Sequence, residues 1–490
     1  MSGYDPFSFS PKAKDDDGPA YRPTPYPPTT NTTDEPVVDR RRVEVREPVK
    51  TSAVHDDDSD EEMNVHIPRA GPEGGPCGTL SAFFNRIVPK GGMFASSITL
   101  ASCTLGASIT SLPMAFKLCG ITIAIILLIL VMLSTVYSIH LLMEVKRRTK
   151  LQSYEEMAKY LLGYKMDYVV ATTMFSVCFG SCVAYIISMG NILRAFTKGE
   201  TFPFPGDVKI PIIIIWFFIL LPLSLPKEIN TLRYSSTIGV AAICYFVLAM
   251  VIHSSTHGLP ETDADGLAWG NFSDDAVVGL SLIMFAYLCQ TNVFEVSAEM
   301  EHGTAKRVVS VSGISMGGCL LLYIIAGFFG YADFGRVVQG AVLLNFDAKE
   351  DINIAVALGM LIVKLCAAFA LAIHPARDSA FYVLGWGSYL TVPRYKRLVL
   401  CTVMSIAALV LGLFIPTIEI VFGLLGSVCG GLLGFIFPAL FVMYAGGWSL
   451  ESVGVGHYLA TLVLLFGGVA CMVFGTLASI YGLVVDGGSD

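Results

Sequence analysis

From Met93 onward the chain alternates apolar stretches about as long as a bilayer is thick with short polar connections. In hydrocarbon, every backbone N–H and C=O must be bonded within the protein, so stretches of this length and continuity must be helices. The pattern predicts spans near 93–119, 120–142, 167–197, 209–226, 232–253, 274–299, 306–331, 352–375, 397–415, 417–445 and 457–485. That makes an all-α, polytopic membrane protein of about eleven transmembrane helices. Composition agrees: 54% hydrophobic against 15% charged residues is too apolar for a soluble globular chain.

An odd number of spans puts the termini on opposite sides, and basic residues choose the side. With the N-terminus inside, the inner connections hold Lys146, Arg147, Arg148, Lys150, Lys227, Arg233, Lys306, Arg307, Arg394, Lys396 and Arg397, among others. The outer ones hold only Arg194, Lys198, Lys209, Arg336 and Lys349. The expected topology is therefore N-terminus cytosolic and C-terminus extracellular. The connection from His253 to Asp275 lacks Lys and Arg and carries the sequon Asn271-Phe272-Ser273, making Asn271 a candidate outer glycosylation site.

Residues 1–78 follow different rules. Runs such as PTPYPPTT and DDDSDEE have little apolar periodicity and cannot bury enough surface to offset chain entropy, so a disordered tail is expected. No secretory signal opens the chain, which keeps the tail in the cytosol in this reading. Ser59, set among acidic residues, is a candidate phosphorylation site. Residues 79–490 form the membrane domain.

One span is not a plain anchor. Ala101–Pro113, ASCTLGASITSLP, places hydroxyls, a glycine and a proline in the middle of the first span. Such a helix should break, and non-helical backbone at membrane depth is tolerated only where it is buried in protein or lines a cavity. The sixth span has a counterpart at Phe285–Asn292, polar and amide-rich where a spanning helix is normally most apolar. A shift of five between them predicts a five-plus-five inverted repeat with two broken helices meeting near the midplane. Half-helix N-termini suit a carboxylate and half-helix C-termini an ammonium, so such a site is shaped for a zwitterion.

Other chemistry finds little support. All cysteines except Cys77 fall in apolar segments and read as small hydrophobes rather than a disulfide framework. The histidines lack metal-ligand spacing, no nucleophile-base arrangement appears, and no basic face suits nucleic acid. No metal, no cofactor and no enzymatic activity are therefore expected. The glycines of the tenth span, Gly423, Gly426, Gly430, Gly431 and Gly434, read as helix-packing positions.

Leu105-Gly106-Ala107-Ser108-Ile109-Thr110-Ser111-Leu112-Pro113 resembles the first-span signature of the amino acid/auxin permease family. Phe285 to Glu299 is similar to its sixth-span partner, and His374-Pro375-Ala376-Arg377 to the Pro-x-Arg of its eighth span. The long tail and the Cys-Gln-Thr-Asn form of the sixth span most resemble the permeases of trypanosomatid parasites. The resemblance implies a LeuT-like fold and secondary active amino acid uptake at the plasma membrane. By position it implies that Thr104, Leu105, Gly106, Ala107, Ser108, Ile109 and Thr110 meet the substrate's carboxylate and α-amino group. Tyr287, Cys289, Gln290 and Asn292 would complete the pocket, with Ser176, Cys178, Ser181, Cys182 and Tyr185 of the third span along its wall.

Sodium-coupled members of the family carry hydroxyls on the eighth span, whereas Ile352 to Ile373 contains no Ser or Thr. Proton- or potential-driven uptake is therefore favoured over sodium coupling. Lys364, deep in that span, is a candidate coupling residue, with Glu299 and Glu419 as acidic candidates. Glu295, close to the sixth-span break, tilts the substrate slightly toward basic amino acids such as arginine or lysine. Small neutral amino acids such as proline or alanine stay open, as does a nutrient-sensing receptor on the same scaffold.

Overall fold

The computed structural model describes residues 92–197, 208–225, 232–257, 267–271, 273–300, 303–386, 392–415 and 417–486, all within the compact unit His66–Asp490. Ser59 and the expected tail lie outside the described residues. Among the described residues the secondary structure is entirely helical.

Ten of the expected crossings are present at spanning length, counting the bent first span as one. The fourth is the helix Lys209–Ser224, shorter than a full crossing and carrying a π-helical stretch at Trp216–Leu220. The remaining spans are Ile121–Thr149, Met166–Phe196, Leu232–His257, Asp275–Glu299, Ala305–Phe334, Ile352–Val383, Arg394–Phe414, Ile418–Tyr444 and Val455–Asp486. The eighth runs past the expected stop near residue 375, with Pro375 inside the helix. Arg377 beyond that proline is only 2% exposed, so packing holds the helix through a residue that would end it in isolation.

The first span divides into Met93–Thr104 and Ala107–Cys119, bent by 51°. The local chemistry explains the break. Thr104 Oγ1 donates back to the Leu100 carbonyl at 2.8 Å and Thr110 Oγ1 to that of Ala107 at 2.7 Å, offering the backbone alternatives to a continuous helix. Gly106 adopts an extended conformation (φ −102°, ψ −150°), and the chain restarts as a 3₁₀ turn over Ala107–Ser111. Pro113 then sits in the first turn of Leu112–Cys119, where its missing N–H costs nothing. The sixth span stops at Ala286 and restarts at Gln290. Gln290 supports that restart itself, its Oε1 accepting from the Cys289 N–H at 3.1 Å.

Packing reproduces the repeat the sequence predicts. The first span packs on the sixth, the second on the seventh and the third on the eighth. Contacts outside these pairs also recur when each span is exchanged for the one five away: fifth on eighth matches tenth on third, and fifth on seventh matches tenth on second. Within the central pair, Met93–Thr104 touches Gln290–Glu299, and Leu112–Cys119 touches Asp275–Ala286. The two broken spans therefore run antiparallel, break beside break. The eleventh span stands outside the repeat, against the tenth and sixth.

The tenth-span glycines act as packing positions. A side-chain carbon on Gly426 would lie 1.9 Å from the Ser281 carbonyl oxygen of the sixth span. The tenth span is π-helical over Leu425–Ile436, directly against that face.

Candidate functional site

A cavity of about 100 Å³ lies where the two breaks meet, walled by four spans. The first contributes Ser102, Cys103, Thr104, Gly106, Ala107 and Ser108, and the sixth Phe285, Leu288, Thr291 and Asn292. The third contributes Val177, Cys178, Ser181 and Tyr185, and the eighth Lys364, Ala368, Leu371, Ala372 and Pro375.

Helix ends give the cavity its polarity. The half-helices starting at Ala107 and Gln290 begin with N–H groups that have no acceptor four residues back, and those ending at Thr104 and Ala286 finish with carbonyls that have no donor four residues on. Donors with partial positive charge thus face one way and acceptors with partial negative charge the other. Gly106 faces the third span: a side-chain carbon there would stand 3.4 Å from the Tyr185 hydroxyl, an ordinary van der Waals contact.

Lys364 is the one charged residue among the described residues lining this cavity. It is 6% exposed, and its Nζ donates to Ser102 O at 3.0 Å and Ser102 Oγ at 2.9 Å. Its stem lies against Gly239 of the fifth span, whose missing side chain makes the room. A buried ammonium held by neutral oxygens, with no carboxylate within ion-pair distance among the described residues, is an expensive arrangement.

Of the residues nominated from sequence, Thr104, Gly106, Ala107, Ser108, Asn292 and Lys364 line the cavity, with Cys178, Ser181 and Tyr185 of the third span. Leu105, Ile109 and Thr110 are buried in the packing around the first break, and Cys182 is buried beside the eighth span. Ser176 lines a separate cleft between the third and tenth spans. Tyr287 and Cys289 are buried off the cavity, and the Gln290 amide turns toward Gly434. Glu295 is exposed on the second half of the sixth span, one turn past Thr291, and lies outside the lining. Glu299 is exposed near the end of the same half-helix. Glu419 starts the tenth span, its carboxylate against Gly340 in the seven–eight connection. The Asn271 side-chain nitrogen donates to Leu118 O at 3.0 Å. No group of potential metal ligands occurs among the described residues.

Sequence reasoning missed Ser102, Leu288, Thr291 and the eighth-span wall. The wall had a signal: Lys364, Ala368, Leu371, Ala372 and Pro375 share one helical face, a stripe of small residues below the lysine.

Residues 89–481 match the family model described as transmembrane amino acid transporter protein. The chain belongs to this family. It is a family of transporters rather than enzymes. Among relatives, the sodium-coupled neutral amino acid symporter 2 of Danio rerio is 22% identical over 77% of this chain and 80% of its own length. Amino acid transporter AVT6E of Arabidopsis thaliana is 26% identical over 80% of this chain and 84% of its own. Human solute carrier family 38 member 10 is 26% identical over 70% of this chain, which spans 31% of that longer protein. A manganese transporter of Eremococcus coleocola, with 10% identity, covers 84% of this chain and 88% of its own, with a TM-score of 0.47.

Proposed function

We propose that this membrane protein is a secondary active transporter of amino acids whose substrate binds in the cavity between the two breaks. One observation carries the reading: two interrupted spans, five apart and antiparallel, present helix N-termini and C-termini to the same cavity. The substrate carboxylate is received by N–H groups at Ala107 and Ser108, and the α-ammonium by carbonyls near Thr104 and Phe285. The side chain then lies against the third- and eighth-span walls.

Those walls favour small and medium neutral side chains. Val177, Phe285, Leu288, Ala368 and Leu371 are apolar, and the charge they surround is the Lys364 ammonium, which repels a second cation. The similarity to the neutral amino acid symporter 2 of Danio rerio supports this reading. A basic substrate is the second reading, favoured by a carboxylate, that of Glu295, one helical turn beyond the lining residue Thr291. Coupling is assigned to protons rather than sodium, because the expected eighth-span hydroxyls are absent and Lys364 already occupies the oxygens of Ser102. The balance of basic residues supports an N-terminus in the cytosol and a C-terminus outside, with the plasma membrane as the site of uptake. The tail and the Cys-Gln-Thr-Asn motif align it with trypanosomatid permeases within the family.

Reconstituted vesicles given a radiolabelled amino acid panel under imposed sodium, proton or electrical gradients test this. Neutral substrates should accumulate under an inward proton gradient without sodium, and Glu295→Gln should leave their uptake within about twofold of native, a shift smaller than one hydrogen bond is worth. Accumulation driven by sodium alone would overturn the coupling, and selective loss of arginine or lysine uptake in Glu295→Gln would favour the basic reading. Binding without flux would instead point to a receptor.

A further inference from the structure

The two breaks share a residue that lines no part of the cavity. Tyr323, in the middle of the seventh span, is wholly buried, and its hydroxyl lies 3.1 Å from Thr104 O and 2.8 Å from Ala286 O. Thr104 is the last residue of the first half-helix of the first span, and Ala286 the last of its counterpart in the sixth. Both carbonyls therefore sit at helix C-termini, where partial negative charge concentrates and no intrahelical donor is available. Gly106 N–H also reaches Thr104 O at 2.9 Å, but Ala286 O has Tyr323 as its recorded partner outside the helix.

A phenol carries one proton, so Tyr323 serves the two carbonyls in alternation while its oxygen remains an acceptor. Ser108, which does line the cavity, stands in the 3₁₀ turn that follows Thr104 across the first break. Oxygens from two different spans, the first and the sixth, thus converge on one buried hydroxyl of a third. The Tyr323 ring is fixed edge-on to Tyr287 at 5.2 Å, inside the same sixth-span break.

We propose that Tyr323 is a positioning residue of the transport site, its hydroxyl capping both half-helix C-termini and holding the two breaks together so that substrate meets them already assembled. This rests on the reading of the breaks as the substrate site. Without the hydroxyl, Thr104 O keeps only the Gly106 N–H, Ala286 O loses the donor that reaches it from the seventh span, and the segment Tyr287–Cys289 loses its tether to that span.

Tyr323→Phe keeps the ring against Tyr287 and removes only the hydroxyl. The full-length chain in lipid nanodiscs is treated with N-ethylmaleimide, and the modification rate of each cysteine is read by peptide mass spectrometry. Cys289, wholly buried at the sixth-span break, reports on the tether, and Cys401, 1% exposed on the ninth span, reports on the rest of the bundle. The proposal expects Cys289 to react at least about fivefold faster in Tyr323→Phe, the population shift for losing one buried hydrogen bond, with Cys401 unchanged. A Cys289-to-Cys401 rate ratio within twofold of native overturns it. So does equal exposure of both, which would make Tyr323 a support of the whole bundle. Uptake kinetics separate this from the functional reading: if the native chain transports alanine, Tyr323→Phe should raise KM about tenfold with little change in maximal rate. An unchanged KM overturns the positioning role. A native chain without amino acid flux overturns the functional reading, while the cysteine ratio still decides whether Tyr323 holds the breaks.

Discussion

Replacing Lys364 by methionine should separate substrate binding from energy coupling. The variant keeps an unbranched side chain of similar length against Gly239 and removes the ammonium with its two bonds to Ser102. Each hydrogen bond to a charged group contributes about 1.5–3 kcal/mol, and withdrawing an ammonium from water costs several kcal/mol. These nearly offset, leaving a net change in stability of about 2 kcal/mol or less, so the variant should fold. In proteoliposomes, one proton per substrate corresponds to about tenfold accumulation for each pH unit imposed across the membrane. The native chain should reach that ratio. Lys364→Met should still exchange labelled for unlabelled substrate at a comparable rate, because the breaks and their helix ends are untouched, yet its accumulation ratio should fall to about one for lack of a titrating group. Proton-driven accumulation undiminished in Lys364→Met would refute the assignment. Loss of exchange together with accumulation would show that Lys364 holds the first break in shape rather than carrying charge.

Two further outcomes follow from packing and burial. Gly426→Ala sets a methyl group 1.9 Å from Ser281 O and should lower the thermal unfolding midpoint sharply, by the equivalent of more than about 2 kcal/mol, whereas Gly359→Ala, which meets open space, should leave it unchanged or raise it slightly. On the short helix Tyr154–Leu162 between the second and third spans, burial, with Glu156 beside it, raises the Glu155 carboxyl above its ordinary range. The folded chain therefore keeps that proton to higher pH than the unfolded chain, so stability should decline as pH rises from about 4.3 and level off once the folded carboxyl has ionised. Thermal unfolding across that range should show a shallower decline in Glu155→Gln, and an unchanged slope would assign it to other groups.

The parts of the site that could be read from the sequence are those written in backbone chemistry. Hydroxyls, Gly106 and Pro113 weaken a helix wherever they occur together, so the first break and its counterpart were predictable without a partner in view. What depends on a second element was not. Gln290 looks like a pocket residue because it is polar in an apolar span, but its amide satisfies the N–H freed by the break itself. Glu295 follows the break by little more than a turn, and the helix carries it out of the lining. Pro375 should end a helix, and it does not because residues beyond it are packed on both sides. Tyr323 lies in an ordinary apolar run, and only the approach of two carbonyls from distant spans gives its hydroxyl a purpose.

The division of labour in the cavity bears directly on selectivity. In the proposed binding mode, helix ends meet the carboxylate and ammonium shared by every amino acid, and they cost no side-chain entropy because the fold has already fixed them. That mode would leave discrimination to the third- and eighth-span walls, where Tyr185, Ala368 and the charged Lys364 line the cavity. Because Lys364 is held at Ser102, next to the residues proposed to receive the substrate, its ionisation would act on the first half-helix and on the cavity's potential together. A single buried ammonium can thereby link the shape of the break to the charge of what the cavity accepts, which is the minimum a proton-coupled carrier requires.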